Sequence, residues 1–186
     1  MGHPDLGLPD GQVRLAPYAA SWPCLYSAEA QRIRQVLGSE LLDLQHVGST
    51  AIPGMAAKPI IDIGAAVRSF ESGYACIGPL QGLDYVYRGE HGIPGRHYFV
   101  KGAPRSYHLH MVAMGSAEWD VNLLFREALR ADAALAKAYL RLKSRLAARF
   151  TRDRVRYTDG KACFVTGVLE RTPGGRDALS RRGGSQ

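Results

Sequence analysis

The sequence predicts an α/β (α+β) domain, a mixed β-sheet with packed helices followed by a helical C-terminal part. Three observations predict it. Residues 59–67 (PIIDIGAAV) form a nearly continuous apolar run, the pattern of a strand covered on both faces. Residues 107–114 (YHLHMVAM) alternate like another strand. From Ser116 onward the chain is rich in Ala, Leu, Arg and Lys at helical spacing.

The elements follow in order. Residues 1–12 are rich in Gly and Pro and read as a flexible segment, and 13–15 (VRL) as a short strand. Ser21-Trp22-Pro23 is a helix start, with Ser21 as cap and Pro23 in the first turn. Leu25, Ala28, Ile33, Val36 and Leu37 share one helical face, and Gly38 ends it. Residues 40–47 and 59–67 are strands, and 69–81 suit a helix. Residues 84–87 and 97–101 are two strands joined by a Gly-rich loop, RGEHGIPGR. Helices are expected over 117–130 and 133–149, capped by Ser116 and Asp132, and over 158–171. One domain thus spans 13–171, and 172–186 has the composition of a disordered tail.

Composition narrows the function classes. The net charge is +7, with 24 basic against 17 acidic residues, which favours anionic partners in general; a solvated surface is the default reading and a small anionic ligand such as a nucleotide the next. No Lys/Arg run interleaves with aromatics, so no nucleic-acid partner is expected. No apolar run approaches the ~18 residues of a membrane helix, and the N-terminus shows no secretory pattern. Cys24, Cys76 and Cys163 have no metal-ligand spacing, as suits idle thiols in a reducing cytoplasm. Oligomeric state is not readable.

The stretch with chemical content is Gln45 to Val67. A strand runs into Gly48-Ser49-Thr50, and the next strand carries Asp62. Backbone near Gly48 can approach a phosphate closely, and Ser49 and Thr50 add hydroxyls. Asp62 is suited to Mg²⁺, a hard cation that bridges to phosphates. There is no GxxxxGK[ST] loop. On spacing alone, a tight turn with a hydrogen-bonded aspartate is the better reading of the stretch. Lys58 could neutralise a phosphate or pair with Asp62. His108 and His110 lie two apart on one strand face, placed for metal binding, proton transfer or a structural bond. His46 reads as a support for the loop, and Glu90 and His91 as part of a lid or surface loop. Trp22, Trp119, Phe125 and Tyr157 read as core.

Residues 46–63, HVGSTAIPGMAAKPIIDI, resemble the signature of the GrpB-like family of the nucleotidyltransferase superfamily. The likeness continues at Tyr18 and Trp22, at 107–112 (YHLHMV), and at Phe125-Arg126 with Leu129-Arg130. It ends with Ala138-Tyr139, Leu142-Lys143, and Tyr157-Thr158 with Lys161.

The resemblance implies a nucleotidyltransferase-like fold whose Gly-Ser turn (Gly48, Ser49, Thr50) holds the phosphates of a nucleoside triphosphate. Lys58, Arg126, Lys143 and Lys161 would add cations. Asp62 with His110 would hold Mg²⁺ or Mn²⁺, and Asp62, His110 and His108 would be the catalytic set. The sequence departs from the superfamily at Gly64, where a second carboxylate would stand, and at His108 and His110, where a third would. The expected function is binding of a phosphate-bearing small molecule, with metal-dependent nucleotidyl transfer to a small acceptor. The alternatives are a non-catalytic binding module and ATP-dependent activation or ligation of a small acid.

Overall fold

The computed structural model describes His3 and residues 5–183. A five-stranded mixed sheet forms its centre. The strands are β1 (Asp43–Val47), β2 (Ile61–Val67), β3 (Val86–Tyr87), β4 (Arg96–Lys101) and β5 (Tyr107–Ala113), in the order β1-β2-β5-β4-β3. β2 and β5 run parallel, and every other pairing is antiparallel. The mixed α/β architecture read from the sequence is therefore the observed one.

The two faces of the sheet carry different residues because side chains alternate along a strand. Ile61, Ile63 and Val67 on β2, with Leu109 and Met111 on β5, join the main core under α1 (Trp22–Leu37). Trp22 and Ile33 of α1 are fully buried there. The opposite face carries Asp62, Gly64 and Ala66, with His108, His110 and Val112 directly beside them. At one end this face is covered by α4 (Ala117–Ala131), whose Trp119 packs on Ala66 and Val112. At the Asp62 end it stays open and faces α5 (Ala133–Arg149), α6 (Arg154–Asp159) and Lys161, which stands at the start of α7 (Ala162–Leu169).

The cap residues split. Asp132 accepts from the amides of Ala134 and Leu135 at 2.8 and 2.9 Å, and Ser116 accepts from that of Trp119. Ser21 makes no such cap; its hydroxyl donates to Asp5 instead, at 2.6 Å.

Several expectations are corrected. Residues 13–15 form no strand; the Val13 amide bonds to the Thr151 carbonyl, and Ala16 makes an isolated bridge to Ala57. The helix expected over 69–81 is α2 (Phe70–Gly73), a 3₁₀ turn and α3 (Ile77–Gln81). Gly73 lies against the His97 ring, and Pro79 lacks an amide to continue a helix. The helix expected over 158–171 is α6 and α7, parted at Gly160, where a Cβ would lie 2.5 Å from Leu146 of α5.

Both ends depart from the expected looseness where they are described. Leu6 and Leu8 are buried, and the Gly7 and Leu8 amides bond to the carbonyls of Pro59 and Arg105. Residues 175–183 of the expected tail form α8 (Gly175–Gly183), with Ala178 buried against Val121 and Leu169. Residues 1, 2, 4 and 184–186 lie outside the described residues.

Candidate functional site

Strand register assembles the floor of the site. Asp62 stands opposite His108, and Gly64 opposite His110, across the parallel β2–β5 pair. Tyr98 of β4 stands opposite His110 on the other side. Asp62 Oδ1 lies 2.9 Å from His108 Nδ1 and 3.5 Å from His110 Nε2. Burial works to raise the Asp62 carboxyl, but the two imidazole hydrogen bonds outweigh it. They hold the group well below the usual carboxylate range, so it is ionised at neutral pH. Burial pushes the His108 imidazole down to about 4, against the pull of Asp62, so His108 is neutral.

The Gly-Ser-Thr turn borders this floor. Gly48 has φ +70° and ψ −170°, a region that glycine occupies almost alone. A Cβ there would lie 2.6 Å from Asp62 Oδ2. The glycine therefore lets the turn lie directly against the carboxylate. Ser49 and Thr50 line the cavity, while the Thr50 hydroxyl is bound to His46 Nε2 at 3.0 Å. His46 stacks on Tyr26 of α1 and supports the turn from the core side. Its imidazole is pushed down to about 4 by burial.

The other wall brings cations. Lys58, Lys143 and Lys161 converge on a cavity of about 700 Å³ that also contains Asp62 and both histidines. Lys143, 1 % exposed, donates to the Ala56 carbonyl at 2.7 Å. Lys58 and Lys161 lie 5.4 and 4.7 Å from the centre of the Tyr157 ring. Among the described residues none of the three lysines has a carboxylate within 4.0 Å. Burial, with Lys161 and Lys58 alongside, pushes the Lys143 ammonium down to about 7. Burial, with Arg154 and Lys161 nearby, pushes Lys58 down to about 8. Lys161 is lowered by burial as well.

The structure thus brings Ser49, Thr50, Lys58, Asp62, His108, His110, Lys143 and Lys161 into one place, with Gly48 behind Asp62. Arg126, expected among the ligand-binding cations, is a correction. Its guanidinium donates to the His46 carbonyl at 2.8 Å and to Gln45 at 3.0 Å, tying α4 to β1 outside the cavity. Arg130 does similar work on the turn, donating to the Ala51 carbonyl at 3.1 and 2.9 Å.

Sequence reasoning missed Arg96, Tyr98 and Arg154, which all line the cavity. Arg96 and Tyr98 lie two apart on β4, so the alternation that picked out His108 and His110 was the available signal. Arg154 lies at the start of α6, ahead of the expected helix, and had none. Arg96 is 6 % exposed and donates to the carbonyls of Glu90 and His91, pinning the Gly-rich loop.

The metal expectation meets a mixed donor set. One ligand atom each from Asp62, His108 and His110 lies within 4.8 Å of the others, a spacing that suits a cation. The outer partners do not suit one. A metal-binding imidazole donates its second N–H to an acceptor, yet His110 Nδ1 faces the Arg96 guanidinium at 3.2 Å and His108 Nε2 is buried with no partner among the described residues.

A family model described as GrpB protein matches residues 12–171. The chain belongs to the GrpB family. It is 40% identical over 154 residues to the UPF0157 protein YqkA of Bacillus subtilis, a match covering 82% of this chain and 45% of that protein. It therefore spans less than half of YqkA. The crystal structure of the conserved protein GrpB from Enterococcus faecalis superposes with a TM-score of 0.78 at 31% identity, covering 90% of this chain and 98% of that one. A shorter match, 37% identical over 76 residues, falls in a dephospho-CoA kinase of Mycolicibacterium paratuberculosis. It covers 39% of the chain and 19% of the kinase. Among the described residues, no helix of this GrpB-family chain is long and apolar enough to cross a membrane.

Proposed function

We propose that the cavity binds a small molecule bearing phosphate groups, with nucleoside triphosphates as the first class to test. The observation that carries this reading is the convergence of Lys58, Lys143 and Lys161 on one cavity in which Asp62 opposes their charge from a distance and, among the described residues, no carboxylate comes within 4.0 Å of any of them. Ammonium groups so placed, one buried and two partly buried, repel one another, and a polyanion relieves the repulsion while accepting their hydrogen bonds. The cavity volume, about 700 Å³, lies in the ordinary range for small-ligand sites. The partial match to a protein named as a kinase agrees with a phosphate-bearing ligand.

Nucleotidyl transfer to a small acceptor is the active form of this reading. The lysines would hold the leaving pyrophosphate, and Asp62 would orient the attacking hydroxyl. A binding module without transfer is the second form, and two observations favour it. Asp62 is held too far below neutrality to be a strong base. The position for a second carboxylate is crowded, since a Cβ on Gly64 would meet Val47 at 3.3 Å and Trp119 at 3.5 Å, leaving little room for the carboxyl group beyond it.

The test is calorimetric titration of the full chain with ATP and with inorganic triphosphate, with and without Mg²⁺ or Mn²⁺. Binding that weakens roughly tenfold in Lys161→Gln is expected. If neither probe binds under any of these conditions, the phosphate reading fails. Pyrophosphate release with hydroxyl acceptors separates transferase from module. Hydroxylamine trapping of an acyl-adenylate would reveal activation of a small acid instead.

A further inference from the structure

The protonation pattern at Asp62 is set by a neighbour that only donates. An arginine side chain has five N–H groups and no acceptor. With its Nη1 at 3.2 Å from His110 Nδ1, that nitrogen must be the bare, accepting one. The proton of a neutral His110 then sits on Nε2, which points at Asp62 Oδ1. Arg96 has little freedom to turn away, because three hydrogen bonds to the Glu90 and His91 carbonyls, at 2.9–3.2 Å, hold it.

A cation bound through His110 Nε2 would need the proton on Nδ1, against the guanidinium. A cation bound through His108 Nδ1 would need a proton on His108 Nε2, which has no hydrogen-bond partner among the described residues. A buried N–H left unpaired is destabilising. Both imidazoles are thus arranged to give protons to Asp62, and neither is arranged to give a lone pair to a metal. The positive charge in the cavity lies instead on the three lysines and on Arg96 and Arg154.

Resting on the phosphate reading above, we propose that this cavity holds the phosphates of its ligand on Lys58, Lys143 and Lys161 without a divalent cation, with Arg96 as the positioning residue that keeps His110 a hydrogen-bond donor to Asp62. The Asp–His–His group is then an anchored acceptor for a hydroxyl or amine on the same ligand. Lysine ammonium groups serve where a metal would otherwise bridge the phosphates.

Two measurements test this. First, the full chain is titrated with ATP and with inorganic triphosphate, in EDTA and in millimolar Mn²⁺. Equal affinity in the two media, reduced roughly tenfold by Lys161→Gln or Lys143→Met, is the expected result. Binding that appears only with Mn²⁺ and is lost in His110→Gln overturns the inference while leaving the phosphate reading standing. No binding in either medium removes both. Second, ¹⁵N spectra of the imidazoles need no ligand and read the tautomer directly. His110 protonated at Nε2 is expected, with Mn²⁺ affinity rising in Arg96→Met as the lock is released. A proton on Nδ1 in the wild-type chain overturns the role of Arg96.

Discussion

Gly48 and Gly64 show how a missing side chain shapes this site. At Gly48 the left-handed backbone and the absent Cβ let the turn touch Asp62. At Gly64 the absent Cβ is filled from above by Val47 and Trp119. The sequence shows only that a carboxylate is missing at 64; the packing shows that the space above it is crowded by Val47 and Trp119. Gly64→Asp is therefore expected to destabilise the fold and not to restore a second metal ligand. An ionised carboxylate driven under Trp119 should cost several kcal/mol, against about 1–3 kcal/mol for Gly64→Ala, which needs only small shifts of its neighbours. Chemical denaturation of the two variants measures the difference. A Gly64→Asp chain as stable as wild type, with Mn²⁺ affinity gained, would refute the packing explanation.

The elements that the sequence made legible are those with a strong period. β2 and β5 stood out because one is apolar throughout and the other alternates, and α4 and α5 because their caps and compositions agree. The site was legible to the same degree: Asp62, His108 and His110 follow from register once those two strands are paired. What escaped notice was settled by tertiary contact. The α6–α7 break depends on Leu146, fourteen residues before Gly160. Arg126 had a motif position but no sign that its partners would be the His46 carbonyl and Gln45. The final segment has the composition of a solvated tail, yet α8 buries Ala178 on Val121 and Leu169. Its Arg181 also donates to the Gly115 carbonyl and Asp120, at 2.7 and 2.6 Å, bracing the start of α4. Ending the chain at residue 172 should uncover Leu169 and Val121 and cost roughly 3 kcal/mol. A fall in Tm of about 6–12 °C in a thermal scan is expected for a chain of this size. An unchanged Tm would mean that α8 adds nothing to stability.

The molecule as a whole keeps several ionisable groups in the form that burial prefers, and its stability should report this through pH. His46 and His108 are lowered from 6.5 to about 4. Between those values the unfolded chain holds more protons, so stability rises with pH over that interval and is lost on acidification. Lys143 and Lys58 are lowered from 10.5 to about 7 and about 8. The same sign applies: above pH 7 the folded chain releases protons that the unfolded chain keeps, so stability again rises with pH. The groups facing Lys143 act on it in known directions. Lys161 and Lys58 deepen the shift, Asp62 opposes it, and Tyr139, raised to about 12, stays neutral throughout the window. Chemical denaturation between pH 7 and pH 9 should therefore show stability increasing by a few kcal/mol, and Lys143→Met should remove much of the slope. Bound inorganic triphosphate should do the reverse, drawing protons onto the lysines so that its affinity falls as pH rises across the same interval. A wild-type chain equally stable at both ends of that interval, or a Lys143→Met chain with the full slope, would show that the buried ammonium groups do not carry this effect.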